Sequence, residues 1–284
     1  MTISDAVRLI SLAAIWGASF IFLRILSPAI GIVATADLRL LIGGLALVLY
    51  FSISRKNFEW KKYWKLYLVV GLINSAIPFL FYAYAALYIP ASYSVILNTS
   101  APLFGTLFAT IWLAERFTVQ RFLGLTIGAL GVFYMSWEGP IELTLKVLLS
   151  ILACIAATVC YGLGGVYIKK FAAEVQTTAL AACSQLLAGI VLIPVNFMTT
   201  THYTFTPFII INILALAILC SSVAYVLYYK LIANIGPAKA LTVTLLMPIF
   251  GMLWGNIFLS EEITFPMMMG TGLILGGTLL VVKK

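Results

Sequence analysis

The sequence has little charge and almost no histidine. Of its 284 residues only 9% are Asp, Glu, Lys or Arg, and the single histidine is His202. A soluble domain carries roughly 25% charged residues, and so few charges cannot cover the surface of one. The chain is instead 63% hydrophobic, with a mean hydropathy of +1.12. This composition excludes an ordinary soluble domain and indicates a membrane protein with several spanning helices.

The four cysteines do not have the spacing of a metal or redox site. They fall inside apolar stretches, without a CxxC pair or a histidine cluster, at Cys154, Cys160, Cys183 and Cys220. A metal centre and a disulfide framework are therefore not expected. The sequence also lacks the phosphate-binding pattern GxxxxGK[ST], which excludes ATP as the energy source. With one histidine in a predicted loop, an enzyme has little to build on, so we expect no enzymatic activity and no cofactor.

Ten apolar stretches are long enough to cross a hydrocarbon layer of about 30 Å as helices. They predict an all-α integral membrane protein with ten transmembrane helices and loops too short for a further domain. The predicted spans are 9–26, 33–54, 66–87, 91–113, 120–137, 147–168, 176–198, 208–229, 238–259 and 265–282.

The net charge of +8 arises from basic residues whose distribution along the chain follows the predicted membrane topology. If the N-terminus is cytosolic, only three of the seventeen basic residues (Arg24, Arg39 and Lys146) fall on the outer side, and the other fourteen face the cytosol. This asymmetry is the positive-inside rule. It predicts that both termini are cytosolic, and it gives no reason to expect a nucleic acid as partner.

A segment near the middle of the chain is repeated. The stretch "PLFGTLFATIWLAERFT" (102–118) aligns without gaps with "PIFGMLWGNIFLSEEIT" (248–264), at an offset of 146 residues. The same offset places Gly124 over Gly270 and Gly131 over Gly277. We predict two units of five helices, 1–140 and 141–284. Because five is odd, the second unit must enter the membrane inverted, and inverted repeats are typical of secondary transporters.

The repeated segments, "YAALYIPAS" (84–92) before the first of them and "WGASF" (16–20) resemble the EamA-type drug/metabolite transporters. The resemblance covers almost the whole chain. It implies a 5+5 inverted-repeat carrier in the bacterial inner membrane, with export of amino acids or other small metabolites as its usual activity. The family's usual glycine before the loop glutamate is replaced by Ala114 and Ser260, a difference from which we expect little consequence.

The expected substrate pathway lies between the two repeats. Pro102 and Pro248 fall in the middle of spans 4 and 9, where a proline removes a backbone donor and kinks the helix. Aromatic and small polar side chains within the spans suit the lining of a pocket for an amphipathic ligand, although close helix packing also favours small residues. The predicted substrate-binding residues are Trp16, Ser19, Asn74, Tyr82, Ser94, Asn98, Tyr161, Gln185, Tyr225, Thr244 and Trp254.

Two repeated features predict structural roles. Glu115 and Glu261 follow the last turns of spans 4 and 9, where a carboxylate opposes the helix dipole. We expect each to bind free N–H groups at the start of a neighbouring helix, as a latch of the fold. The GxxxG pairs Gly124/Gly128 and Gly272/Gly276 are expected to pack within the chain.

The acidic residues lie at or near the ends of the predicted spans, so no carboxylate is expected at the midplane, where proton-coupled carriers normally place one. Asp37 is expected at the interface, ion-paired with Arg39. Facilitated diffusion or exchange is the simplest prediction for the mechanism.

The sequence therefore predicts a secondary transporter of small neutral or zwitterionic metabolites, acting as a monomer or homodimer in the lipid bilayer. Two alternatives stay open. One is an importer or exchanger of a cofactor or metabolite, nucleoside-like or S-adenosylmethionine-like, on the same scaffold. The other is a membrane receptor or scaffold, which would leave the inverted repeat unexplained.

Overall fold

The computed structural model describes residues 2–55, 57–114, 117–138, 141–199, 205–236, 240 and 242–282. Every regular element among these residues is helical, and eight helices are long and apolar enough to cross a membrane. Two further apolar helices, α9 and α10, are shorter. The ten helices are α1 (Ile3–Ile30), α2 (Ile32–Ile53), α3 (Trp60–Ala85), α4 (Ala91–Trp112), α5 (Val119–Glu138), α6 (Leu145–Phe171), α7 (Thr177–Met198), α8 (Pro207–Ile235), α9 (Val243–Leu259) and α10 (Phe265–Val282). The predicted ten-helix all-α membrane fold is confirmed.

Several helices extend beyond the apolar stretches that predicted them. The first begins at Ile3 because Thr2 and Asp5 form a capping box: the Thr2 hydroxyl accepts from the Asp5 backbone N–H at 3.2 Å, and the Asp5 carboxylate accepts from the Thr2 backbone N–H at 3.4 Å. Such a box satisfies helix N–H groups that otherwise lack partners. Polar cap residues therefore set the true beginning of α1, and hydropathy alone does not show it.

Helix α4 is interrupted, whereas the described helix of its counterpart α9, Val243–Leu259, is continuous. The break falls at Thr99 and Ser100, between the segments Ala91–Asn98 and Ala101–Trp112. Pro102 lies in the first turn of the second segment, where the missing N–H costs no helical hydrogen bond. Pro248 instead lies inside the described helix Val243–Leu259. The two equivalent prolines therefore lie at different places within their helical segments, and the expected kinks stay a prediction.

Helices α5 and α10 pack through glycines in a reciprocal pattern. A Cβ added to Gly124 would lie 2.6 Å from the carbonyl oxygen of Gly277, and a Cβ added to Gly131 would lie 2.9 Å from that of Gly270. As the chain runs forward from 124 to 131, its contacts run backward from 277 to 270, so the two helices are antiparallel. Since Gly124 corresponds to Gly270 and Gly131 to Gly277, the contacts have the two-fold symmetry that an inverted repeat requires.

A second reciprocal pair joins the first helix of each repeat to the fourth helix of the other. A Cβ on Gly17 of α1 would lie 3.0 Å from the backbone nitrogen of Gly251 of α9, and a Cβ on Gly162 of α6 would lie 2.6 Å from that of Gly105 of α4. Gly105 and Gly251 are equivalent in the repeat. The close backbone approach between the repeats is therefore built from the glycines that the two halves share.

The expectation for the two GxxxG pairs is right for one pair and wrong for the other. Gly124 and Gly128 both have neighbours within 4 Å, whereas a Cβ on Gly272 or Gly276 would meet nothing within that distance. The contact face of α10 is formed by Gly270 and Gly277 instead.

Candidate functional site

Two helices contain a stretch of π-helix at equivalent positions. In α3 the stretch is Leu72–Ala76, and in α8 it is Ala215–Val223. The repeat offset carries 72–76 onto 218–222, inside the second stretch. Short π-helical segments are rare in proteins, and those that do occur are often found at functional sites. No sequence pattern considered above predicts them, and both adjoin the polar and aromatic side chains described next.

Three of the predicted substrate-binding residues contact one another where α3, α4 and α6 meet. The Tyr82 hydroxyl donates to Oδ1 of Asn98 at 2.8 Å. The Tyr82 ring stacks on Tyr161, with 6.2 Å between ring centroids, and meets the edge of Phe20 at 5.3 Å. Tyr82 is buried, whereas Asn98 and Tyr161 keep partial exposure. The amide and the rings together form a surface with both polar and apolar character.

Two more predicted residues meet between α1 and α8. The Trp16 ring lies 6.0 Å from that of Tyr225 and 5.2 Å from that of Tyr228. Ser19, one turn after Trp16, is buried, and Cys220 of the α8 π-helical stretch donates to the carbonyl oxygen of Ile15 at 3.2 Å. The first helix of one repeat is thus joined to the third helix of the other by aromatic contacts.

Arg39 links these two groups and was not expected among the site residues. It is the eighth residue of α2, about 10 Å along the helix axis from its start, and it is 7% exposed. Its Nε donates to the Ser221 hydroxyl at 3.2 Å, and its guanidinium lies 3.9 Å from the centroid of the Phe79 ring. Tyr161 and Tyr225 are among its electrostatic neighbours. We call Trp16, Arg39, Phe79, Tyr82, Asn98, Tyr161, Ser221 and Tyr225 the central cluster.

The expected ion pair between Asp37 and Arg39 is not formed: the Asp37 carboxylate accepts from the Asn196 amide, and Arg39 donates to the Ser221 hydroxyl. Residues two apart on a helix point in directions about 200° apart, so Arg39 faces α3 and α8 while Asp37 faces α7. The signal that would have found Arg39 is its position inside an otherwise apolar span, because a charged residue there is expensive and is kept mainly for function.

Asp37 is buried against α7. It is 2% exposed, and its Oδ2 accepts from the Asn196 side-chain amide at 3.0 Å. Its Oδ1 is buried and has no hydrogen-bond partner in the described part of the chain. Asn196 is two residues from the end of α7, so this contact lies towards one end of the bundle.

The remaining predicted residues are spread over other helix contacts. Ser94 is buried and accepts from the Cys154 thiol at 3.8 Å, and Trp254 donates from its indole N–H to the carbonyl of Ala14 at 2.9 Å. Asn74 lies beside Gly164, where a Cβ would come within 2.8 Å of its Oδ1. Gln185 is 1% exposed, and neither of its side-chain polar atoms has a hydrogen-bond partner within the described ranges. Thr244 is half-buried in the first turn of α9.

The carboxylate of Glu261 lies at the start of α4. Its Oε1 accepts from the backbone N–H of Ala91 at 2.7 Å, and its Oε2 accepts from the backbone N–H and the hydroxyl of Ser92 at 2.9 and 2.6 Å. These donors belong to the first turn of a helix in the other repeat, where the helix dipole favours a negative charge. The equivalent Glu115 lies outside the described residues, as does His202.

All four cysteines are free. Within the residues that the structure describes, no group of three or more His, Cys, Asp or Glu side chains is placed to hold a metal ion.

Comparison with known proteins gives a consistent result. Residues 6–137 and 148–283 each match the EamA-like transporter family. An "uncharacterized transporter YvbV" of Bacillus subtilis is 26% identical over 88% of this chain and 82% of its own length. An "uncharacterized transporter" of Archaeoglobus fulgidus is 26% identical over 95% of both chains. A solved crystal structure with 18% identity has a TM-score of 0.69 and covers 99% of this chain and 96% of its own, a likeness that concerns the fold alone.

Proposed function

The chain belongs to the EamA-like transporter family and is a multi-pass membrane transporter, and we propose that it is a secondary carrier of small neutral or zwitterionic metabolites such as amino acids. It works by alternating access across the bacterial inner membrane, in the direction of export, with both termini in the cytosol. No cofactor or nucleic acid takes part.

The observation that carries this proposal is the central cluster. It combines aromatic rings from α1, α3, α6 and α8 with one amide, bound by Tyr82, and one guanidinium, stacked on Phe79. The rings make stacked and edge-on contacts, and such faces suit an apolar ligand body. A few polar groups among aromatic walls are the usual composition of a small-molecule site. A ligand with one apolar part and a polar head fits this combination.

Alternating access is supported by the way in which the repeats meet. The helices of one repeat contact those of the other through reciprocal glycine pairs, with Gly17 against Gly251 and Gly105 against Gly162. Close glycine contacts have no side chains to interlock, so small sliding or rocking motions disturb little packing. Rocking of one repeat against the other around a fixed site is how inverted-repeat carriers open to each face in turn.

The test is flux through purified protein in proteoliposomes. The compounds are labelled members of a fixed panel: the proteinogenic amino acids, short organic acids, nucleosides and aliphatic amines. We expect protein-dependent, saturable movement of some of them, with amino acids among the best, compared with protein-free liposomes. Movement of none would contradict a carrier function and favour a receptor, and movement of nucleosides alone would contradict the proposed substrate class.

A further inference from the structure

Among the residues that the structure describes, Arg39 is buried without an acidic side chain as counter-ion. The one ion pair within the described residues joins Arg8 and Asp5, which both lie in the first turns of α1 and not near Arg39 in the sequence. Asp37, the acid closest in sequence, points to α7 and binds Asn196. Removing a charge from water costs several kcal/mol unless a partner compensates for it. The central cluster therefore holds a cation whose opposite charge is not supplied by the described part of the protein.

The guanidinium is held so that one edge stays available. Its Nε is occupied by the Ser221 hydroxyl, and one face is covered by the Phe79 ring. The two terminal nitrogens make no hydrogen bond in the described part of the chain. These nitrogens form the fork of a guanidinium, which matches the two oxygens of a carboxylate with two parallel hydrogen bonds.

Three elements fix this orientation. Arg39 comes from α2, Phe79 from α3, and Ser221 from the π-helical stretch of α8. A guanidinium stacked on a ring and anchored at Nε has lost most of its rotational freedom before any ligand arrives. Binding a carboxylate then costs less ordering than it would for a free side chain.

We propose that Arg39 is the carboxylate-binding residue of the transport site and that the substrates of this carrier carry a carboxylate next to an aromatic or apolar group. The inference rests on the proposed carrier function. The carboxylate binds to the free fork of Arg39, and the apolar part lies against Trp16, Tyr161 and Tyr225. A zwitterion fits because its ammonium group is attracted to the faces of aromatic rings.

The first part of the experiment uses the wild-type protein. For each amino acid that is moved in proteoliposomes, flux is compared with that of the corresponding carboxamide, L-phenylalanine against L-phenylalaninamide being the reference pair. A bidentate charge-assisted pair with the guanidinium is open to the carboxylate and not to the amide, so the carboxylate form should be moved about tenfold faster or more at low concentration. Equal flux of the two forms would overturn the inference and leave the carrier function intact.

The second part uses variants. Arg39→Gln should lose the preference for the carboxylate form, and Arg39→Lys should recover part of it, since an ammonium keeps the charge but not the fork. Arg24→Gln is the matched control, because Arg24 donates to the carbonyl of Ala86 at 2.5 Å and is not part of the central cluster; it should keep the preference. A folded Arg39→Gln protein with an unchanged preference would overturn the inference.

Three further outcomes are distinguished. If Arg39→Gln fails to fold, Ser221→Ala replaces it and should raise the half-saturation concentration of the carboxylate form alone; an equal effect on both forms would count against the inference. If the wild-type protein moves only carboxylate-free nucleosides or amines, this inference fails while the chain is still a carrier. If it moves nothing in the panel, the carrier function itself fails.

Discussion

The carboxylate of Glu261 binds the backbone N–H of Ala91 at 2.7 Å, although the two residues are 170 positions apart. Glu261 follows α9 in the second repeat, and Ala91 begins α4 in the first. A short loop of one repeat therefore caps a helix of the other. The contact joins the end of α9, which contains Pro248, to the start of α4, which is interrupted at Thr99 and Ser100.

We predict that Glu261→Gln lowers the stability of the purified protein. The neutral amide keeps the shape but weakens three hydrogen bonds to the start of α4, and charge-assisted bonds are each worth about 1.5–3 kcal/mol. Thermal unfolding in detergent should show a lower midpoint. Glu262→Gln is the control, because Glu262 is the exposed neighbour and the same substitution there should change little. An altered substrate profile in well-folded Glu261→Gln protein would show that the latch interpretation is wrong.

Ser260 precedes this glutamate in a left-handed backbone conformation, with φ of 54°, and the equivalent Ala114 has φ of 51°. A side chain in this region costs about 1 kcal/mol relative to glycine. We predict that Ser260→Gly and Ala114→Gly each raise the unfolding midpoint modestly. The reverse test is Gly236→Ala, at φ 82°, which should lower it. Lower stability of both glycine variants would contradict the backbone argument. Ala114 and Ser260 replace the family's usual glycine, a difference from which little consequence was expected, and both are therefore strained backbone positions.

The contact of α5 with α10 gives a sharper test of the two-fold packing. A Cβ on Gly277 would lie 2.7 Å from the backbone nitrogen of Gly128, whereas a Cβ on Gly276 would meet nothing within 4 Å. Gly277→Ala should destabilise the protein by about 1–3 kcal/mol, the usual cost of overpacking, and Gly276→Ala should be neutral. Both are measured as thermal unfolding of purified protein; equal behaviour of the two variants would show that this interface is not formed.

The sequence predicted the ten helices because their existence depends on hydropathy, which is a local property of the chain. It placed Tyr82, Asn98 and Tyr161 in one site because each is a polar or aromatic residue within an apolar span. It missed Arg39 because its burial depends on Phe79 and Ser221, which come from helices 40 and 182 residues further along the chain. The break in α4 and the π-helical stretches are set by tertiary packing, for which hydropathy carries no signal.

Asp37 tests whether a proton takes part in transport. It is the sixth residue of α2 and binds Asn196 close to the end of α7, on the side of α2 turned away from Arg39 and the central cluster. We predict that flux down a substrate gradient is unchanged by an added pH step of either sign, and that Asp37→Asn preserves this flux. Accumulation of a zwitterion above equilibrium, driven by the pH step and lost in Asp37→Asn, would contradict the prediction.

The central claim is that the protein is a carrier whose central cluster is exposed to each face in turn. Counterflow tests it most directly: proteoliposomes are loaded with an unlabelled panel compound that the protein moves, and trace labelled compound is added outside. The account predicts that label accumulates transiently above its outside concentration, because each returning binding site carries label inward while the unlabelled compound leaves. Entry of label at the same rate with and without internal compound, rising only to equilibrium, would contradict it and indicate a pore.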